Sequence, residues 1–374
     1  MMILPQPLAR TGQALRRRRP LNAFIRGIGC LWIVGAGLAT QGALVVVPML
    51  PLAQALGVLA MLWVLPALLC SLAGIIGLPS SWMDWFQNVR QVVEGKPWPE
   101  RLVLLIGTVW QCLVFRPFSC PFPDIPLWVQ MFFFREKEAV YPPSHAGSAP
   151  VQDEYWIYIN GMVTNQFMAQ ANAQRLYEIF GRPVTVCLNP TDGFLVDLLE
   201  CIVDKLGLLE WFWKTQPQEY LRAELQRAIV EAAAGKYKRV VLVAHSQGTI
   251  VASKTLQQLA GMTNFAPLMK KHLLVFNFAD CAHTMSAENV RYLENISNQR
   301  DTVSWLGVLF PFPDLWEDVN GNPISIGGAK VTDSQRWGHL LNTHYLEPLR
   351  NGAYPASLLH HFRDGRSPPR GLLD

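Results

Sequence analysis

Hydrophobic and polar positions follow two different patterns along the chain. From Gly27 to Met83 apolar residues continue without a single Asp, Glu, Lys or Arg. A helix needs about 20 apolar residues to cross roughly 30 Å of hydrocarbon, so this stretch has room for two spans. One is expected near Ile28 to Val47 and the other near Ala53 to Leu78, turning at Pro48 and Pro51, with Pro66 as a kink in the second. Trp32, Trp63, Trp82 and Trp85 include candidates for the aromatic belt at the membrane interface. Two rival readings are a pair of buried core helices and a signal peptide ending in GLATQGA. The second span, following at once, weighs against a signal peptide.

The next segment is short and mixed. LVLLIGTVWQCLVF, between Arg101 and Arg116, is too short to span comfortably and reads as an interfacial or core helix. Pro117, Pro121, Pro123 and Pro126 then lead into LWVQMFFF, which suits either the headgroup level or packing against the domain that follows. Residues 141–153, YPPSHAGSAPVQD, have linker composition. The expected organisation is a basic segment (1–22), a two-helix transmembrane hairpin (23–83), a juxtamembrane region and linker (84–153), a catalytic domain (154–350) and a C-terminal tail (351–374).

From Glu154 onward the pattern changes to short apolar runs separated by amphipathic stretches. YWIYIN (155–160), PVTVCLN (183–189), RVVLVA (239–244), LLVFNFA (273–279) and the region Tyr292 to Ile296 read as strands, and Gln166 to Phe180 as a helix. Apolar strands without alternation, separated by helices, predict an α/β fold with a mostly parallel central sheet covered on both faces. Ligands on such sheets bind at the carboxyl ends of the strands.

Composition and charge narrow the picture. Half the residues are apolar and only 16% are charged, against about 25% in ordinary soluble domains. The net charge of +4 comes largely from Arg10 and Arg16 to Arg19. A basic cluster beside an apolar segment favours anionic headgroups, and no basic face interleaved with aromatics points to nucleic acid. Two spans return the chain to its starting side. The N-terminal arginines and Arg90, Lys96, Arg101 and Arg116 can then both be cytoplasmic, which predicts a multi-pass inner- or plasma-membrane protein with its catalytic domain facing the cytoplasm. Seven cysteines (30, 70, 112, 120, 187, 201 and 281) show no CxxC pairing, which suits reduced, buried thiols. No metal or nucleotide motif appears, so no cofactor is expected.

The chemistry lies in AHSQG (244–248). A serine in a sharp strand-to-helix turn holds its hydroxyl clear of the backbone, and the residues two before and two after it must be small. Here they are Ala244 and Gly248, with RVVLVA before as a buried strand and TIVASKTLQQLAG after as a helix ended by Gly261. Over about residues 154–350 the chain resembles the α/β-hydrolase superfamily, particularly its lipases and esterases. Ala244 replaces the first glycine of the family pattern and removes no chemistry.

A serine hydroxyl needs a base to take its proton and a carboxylate to orient that base. The resemblance implies an acid after a late strand and a histidine near the end of the domain. Asp301 is the preferred acid and Asp280 the rival; His344 is the preferred base and His339 the alternative. His245 reads as a packing residue of the elbow, and His360 and His361 as solvated. For the oxyanion the expected donors are the amide of Gln247 and that of Met162 in the turn NGMVT, where Gly161 permits a tight backbone. Asn160 stands where related lipases often carry histidine. In the stretch 192–238, Trp211, Phe212 and Trp213 are candidates for a lid or acyl-chain wall, or for an ordinary amphipathic helix. Together these readings predict a membrane-anchored serine esterase or lipase acting on a lipid or other hydrophobic ester. The alternatives are a thioesterase or deacylase for lipidated protein, and an inactive membrane scaffold on the same fold.

Overall fold

A computed structural model of the chain describes residues between 90 and 371, chiefly without 114–125, 144–152, 192–215 (Asp197 excepted) and 310–324, and with a few shorter gaps. The predicted spans, the basic N-terminus and Trp211, Phe212 and Trp213 lie outside the described residues. Among the described residues no helix is long and apolar enough to cross a membrane. Asp84–Asp374 forms one compact unit.

Seven strands form the central sheet: β1 (Val140–Tyr141), β2 (Glu154–Ile159), β3 (Val184–Cys187), β4 (Arg239–His245), β5 (Leu273–Phe278), β7 (Tyr292–Arg300) and β9 (Ala329–Trp337). Their spatial order is β1-β3-β2-β4-β5-β7-β9. Every neighbouring pair is parallel except β1 with β3. β6 (Thr284–Met285) and β8 (Ser325–Ile326) pair separately. The helices are α1 (Trp98–Leu113), α2 (Leu127–Phe133), α3 (Gln166–Phe180), α4 (Gln216–Ala233), α5 (Gln247–Ala260), α6 (Ala266–His272) and α7 (Glu347–Arg350). A π-helical turn, Leu341–Leu346, precedes α7, and a short 3₁₀ segment, Leu358–Gly365, follows it.

The strands are apolar at consecutive positions because both faces of the sheet are buried. Trp156, Tyr158, Val241, Val243 and Phe276 join the core beneath α3 and the C-terminal helices. Ile157, Ile159, Val240, Leu242 and Val275 join the core beneath α4, α5 and α6. Capping sets the length of α3. Asn165 Oδ1 accepts from Met168 N (3.1 Å) at its start, and Gly181 at φ 64° closes its end.

Three parts of this architecture depart from the sequence reading. β1 pairs with β3 in the central sheet although residues 84–153 are expected to precede the domain; two residues long, it carries no periodicity to announce it. β9, AKVTDSQRW, is not among the predicted strands: it is an edge strand whose residues are mostly exposed or half-buried, so it lacks an apolar run. Lys330, Asp333 and Arg336 along it suit an edge that avoids pairing with another chain. Residues 351–374, expected as a tail, supply Leu358, Leu359 and Phe362 to the core. Buried polar groups on the sheet hold them there. The Glu294 carboxylate accepts from Leu358 N at 2.9 Å and from the Ser357 hydroxyl. Arg182, fully buried and ion-paired with Glu154, donates to the Phe362 carbonyl at 2.9 Å. Likewise His360 is not simply solvated, since its Nε2 donates to the Ala353 carbonyl at 2.8 Å.

The site follows from the topology. After β2 the chain crosses to β3 on one side and returns to β4 on the other, so the strand order reverses between β2 and β4. At the carboxyl ends of these two strands the connections diverge, the place where ligands bind on sheets of this kind. The loop after β2 and the turn after β4 meet there.

Candidate active site

The turn between β4 and α5 places Ser246 at φ 55° and ψ −128°. An L-residue rarely adopts this conformation, and holding it costs about 1–3 kcal/mol, borne by the surrounding structure. Ser246 N donates to the Phe278 carbonyl at 3.0 Å, and the Ser246 carbonyl accepts from Thr249 N (2.8 Å) and Thr249 Oγ1 (2.7 Å). Two glycines make the turn possible. A Cβ at Gly248 would come within 2.7 Å of the Asn160 carbonyl oxygen, and one at Gly161 within 2.6 Å of Ser246 Cβ. Ala244 is completely buried in β4 and leaves the turn intact.

Ser246 Oγ lies 2.7 Å from His339 Nε2. The other ring nitrogen, Nδ1, lies 2.9 Å from Asp301 Oδ2 and 3.1 Å from Oδ1. This geometry requires the tautomer with hydrogen on Nδ1, so that Nε2 accepts the serine proton. Asp301 sits just beyond β7 and His339 in the loop between β9 and the π-helical turn, so the two late elements bring acid and base to the serine.

The sequence preference for His344 is therefore corrected. His344 lies in the π-helical turn, where its Nδ1 accepts from Leu340 N at 2.9 Å. Its ring also packs against Gly338, where a Cβ would fall 2.4 Å from Nδ1. The physical reason is the break at Leu340, whose extended backbone separates the two histidines, so they do not share the one helix that their spacing suggests. The rival acid, Asp280, is engaged in its own turn: Oδ1 accepts from Ala282 N (2.8 Å) and Oδ2 from Asn277 Nδ2 (3.1 Å).

Electrostatics suit the arrangement. Burial alone pushes the Asp301 carboxyl upward, but His339, the Tyr345 hydroxyl and Val303 N–H together outweigh it and hold the group below its ordinary value. Tyr345 OH donates to Asp301 Oδ2 at 2.6 Å and accepts from Asn298 N at 3.2 Å. His245 has a sharper role than packing. Its Nε2 donates to the His339 carbonyl at 2.7 Å, and its ring lies against that of His339 at 4.9 Å between centroids. Burial first, and then the neighbouring His339, push the His245 imidazole down to about 3, so it stays a neutral donor.

The loop after β2 is built with equal care. Asn160 pairs with the backbone of Asn189 through two bonds: Oδ1 accepts from Asn189 N (2.9 Å) and Nδ2 donates to Asn189 O (2.6 Å). Asn189 Nδ2 in turn donates to Gln247 Oε1 at 2.9 Å, tying this loop to the residue after the serine. Val163 adopts φ 56°, an outlier for a β-branched side chain. Its N–H is held by Asp197 Oδ2 at 2.9 Å, and Asp197 accepts from Thr191 Oγ1 as well. Val163 N–H is thereby committed to Asp197.

Sequence reasoning misses Tyr345, Asn189, Asp197 and the donor role of His245. Only Tyr345 carries a local signal, as the residue after a candidate histidine; the others act through contacts between distant segments. Among the described residues no group of three or more His, Cys, Asp or Glu could hold a metal ion.

No protein-family profile and no curated protein matches the chain. Among solved structures it is similar to lipase B of Aspergillus fumigatus, at 10% identity and a TM-score of 0.29, over 58% of this chain. The match takes in 52% of that lipase, so the chain spans about half its length. A superposition this loose carries no argument about activity.

Proposed function

We propose that this chain is a membrane-anchored serine hydrolase of the α/β-hydrolase type that cleaves carboxylic esters, with lipid esters as its substrate class. The observation that carries the reading is the unbroken line from Ser246 Oγ to His339 Nε2 (2.7 Å) and from His339 Nδ1 to Asp301 (2.9 Å). A preassembled nucleophile, base and orienting carboxylate supports chemistry over a binding module, since binding alone requires no strained serine aligned with a histidine.

In the reaction, Ser246 Oγ attacks the ester carbonyl carbon as its proton passes to His339 Nε2. The carbonyl π electrons move to oxygen, and that oxyanion accepts hydrogen bonds from the amides of Gln247 and Met162. Collapse expels the alcohol, which takes the proton from Nε2 and leaves an acyl-Ser246. Water then attacks the acyl carbon, giving its proton to Nε2, and the second collapse returns that proton to Ser246 and frees the acid. Asp301 keeps the ring in the working tautomer and offsets the imidazolium charge. The apolar segment Gly27–Met83 supplies the membrane reading and the hydrophobic substrate class.

The test is turnover of a nitrophenyl butyrate ester by the full chain in detergent. Ser246→Ala and His339→Ala each reduce kcat by about 10⁴-fold or more, whereas His344→Gln keeps activity within about tenfold of wild type. Equal losses in the two histidine variants, or turnover that survives Ser246→Ala, would contradict the assignment.

A further inference from the structure

The outer face of α1 is apolar where a helix on a soluble domain is polar. Trp98, Leu102, Ile106 and Trp110 follow one another at four-residue spacing and are 72%, 42%, 47% and 42% exposed. At 100° per residue these four fall within one 120°-wide stripe. The opposite face is the one used for packing: Leu104, Gly107, Thr108, Gln111 and Cys112 are buried. There Leu104 clusters with Val93, Met131 and Phe167. Asn165 Nδ2 donates to Thr108 Oγ1 (3.1 Å) and Gln111 Oε1 (2.8 Å). A helix apolar all round is normally buried all round, so the second face calls for a second apolar environment. α2, joined to α1 by the bond from Trp110 Nε1 to the Phe132 carbonyl (2.9 Å), adds Trp128 and Phe133, 50% and 63% exposed.

We infer that this α1–α2 face is a docking surface for a lipid bilayer, lying in the interface and not crossing it. Two observations select a bilayer over a protein partner. The exposed residues are tryptophans, phenylalanine and aliphatics, the composition of an interfacial layer. Only residues 84–97 separate the uncharged segment ending at Met83 from Trp98, so a chain tethered there keeps this face within about 50 Å of the membrane, at high effective concentration. The surface also bears on the site. Asn165, which α1 holds through Thr108 and Gln111, follows directly on the loop Gly161–Thr164 beside Ser246, so α1 braces the segment next to the site. This inference rests on reading Gly27–Met83 as a membrane tether, and its crosslinking test does not depend on ester hydrolysis.

The experiment uses the full chain in vesicles of phosphatidylcholine and phosphatidylglycerol, with benzoylphenylalanine replacing Leu102, Ile106 or, as control, Tyr220 of α4, which is 43% exposed in the other helical layer. After flotation and irradiation, adducts are identified by mass spectrometry. Lipid adducts at positions 102 and 106 and none at 220 support the docking surface. If the protein floats but 102 and 106 crosslink to peptides of residues 27–83, to a second copy or to nothing, the docking surface is overturned while the tether stands. Protein that does not float with the vesicles overturns both, and lipid adducts equal at all three positions overturn the specificity of the face. The double variant Leu102→Gln, Ile106→Gln should lose about tenfold in turnover of a vesicle-borne ester while keeping its rate on a water-soluble one. Equal losses on both substrates would contradict a membrane role for these side chains.

Discussion

At the scale of single residues, the site depends on a few atoms with no room to move. Gly161→Ala places a Cβ 2.6 Å from that of Ser246, and because the neighbour is the nucleophile itself, relief displaces the hydroxyl from His339. That Cβ would also meet the His245 backbone carbonyl at 3.0 Å, so we expect a loss of about 10²-fold or more in kcat together with about 1–3 kcal/mol of stability, checked by paired kinetics and urea titration. His245 gives a pH signature. Its imidazole is neutral in the fold, pushed down to about 3, while in the unfolded chain it takes a proton below about pH 6.5. Between these values the unfolded state binds more protons, so the fold loses stability as pH falls through that window and keeps the full contribution above it. His245→Gln should flatten the decline in urea midpoint between pH 7 and pH 5; an unchanged slope would contradict the neutral, buried assignment. Asp301 acts in the same direction, its depressed carboxyl adding stability above the unfolded value near 3.9 that fades only at lower pH.

At the scale of elements, the legible parts are those whose signal is local. AHSQG declares the elbow because a buried strand, a serine and a glycine that must approach the neighbouring Asn160 carbonyl are adjacent in sequence. α3 and β4 are likewise readable from apolar periodicity and punctuation. The sequence favours His344 over His339 because it suggests one helix shared by both; the chain breaks at Leu340, and nothing local announces that break. Asp197 and Asn189 are invisible as site residues for a related reason: each holds a loop that is distant in sequence. Asn165 joins both kinds of information, capping α3 locally and reaching α1 across the fold. Asn165→Ala therefore loses a cap and the buried hydrogen bonds to Thr108 and Gln111, a loss of about 1–3 kcal/mol by denaturant titration. A change below about 0.5 kcal/mol would indicate that α1 is not braced there.

At the scale of the whole molecule, apolar and polar patterns separate an uncharged N-terminal segment from a mostly parallel α/β sheet. They do not reveal where the sheet ends. β9 is polar because it lies at an edge, and the C-terminal residues pack because Arg182 and Glu294, charged groups inside the fold, hold their backbone. The Arg182–Glu154 pair is buried on both sides, so Glu154→Gln leaves a cation without its counter-charge. It should destabilise the fold by about 3–5 kcal/mol, read from the unfolding midpoint. The strained serine sits at the end of β4, where the strand order reverses, and the segments after β7 and β9 bring its aspartate and histidine to it, so the fold's topology and the proposed chemistry converge on one point. Reaction with a fluorophosphonate, followed by intact mass and peptide mapping, tests that convergence most directly. The account predicts one covalent adduct, on Ser246, abolished in Ser246→Ala, strongly slowed in His339→Ala and retained in His344→Gln; an adduct on another residue, or none on the folded wild type, would contradict it.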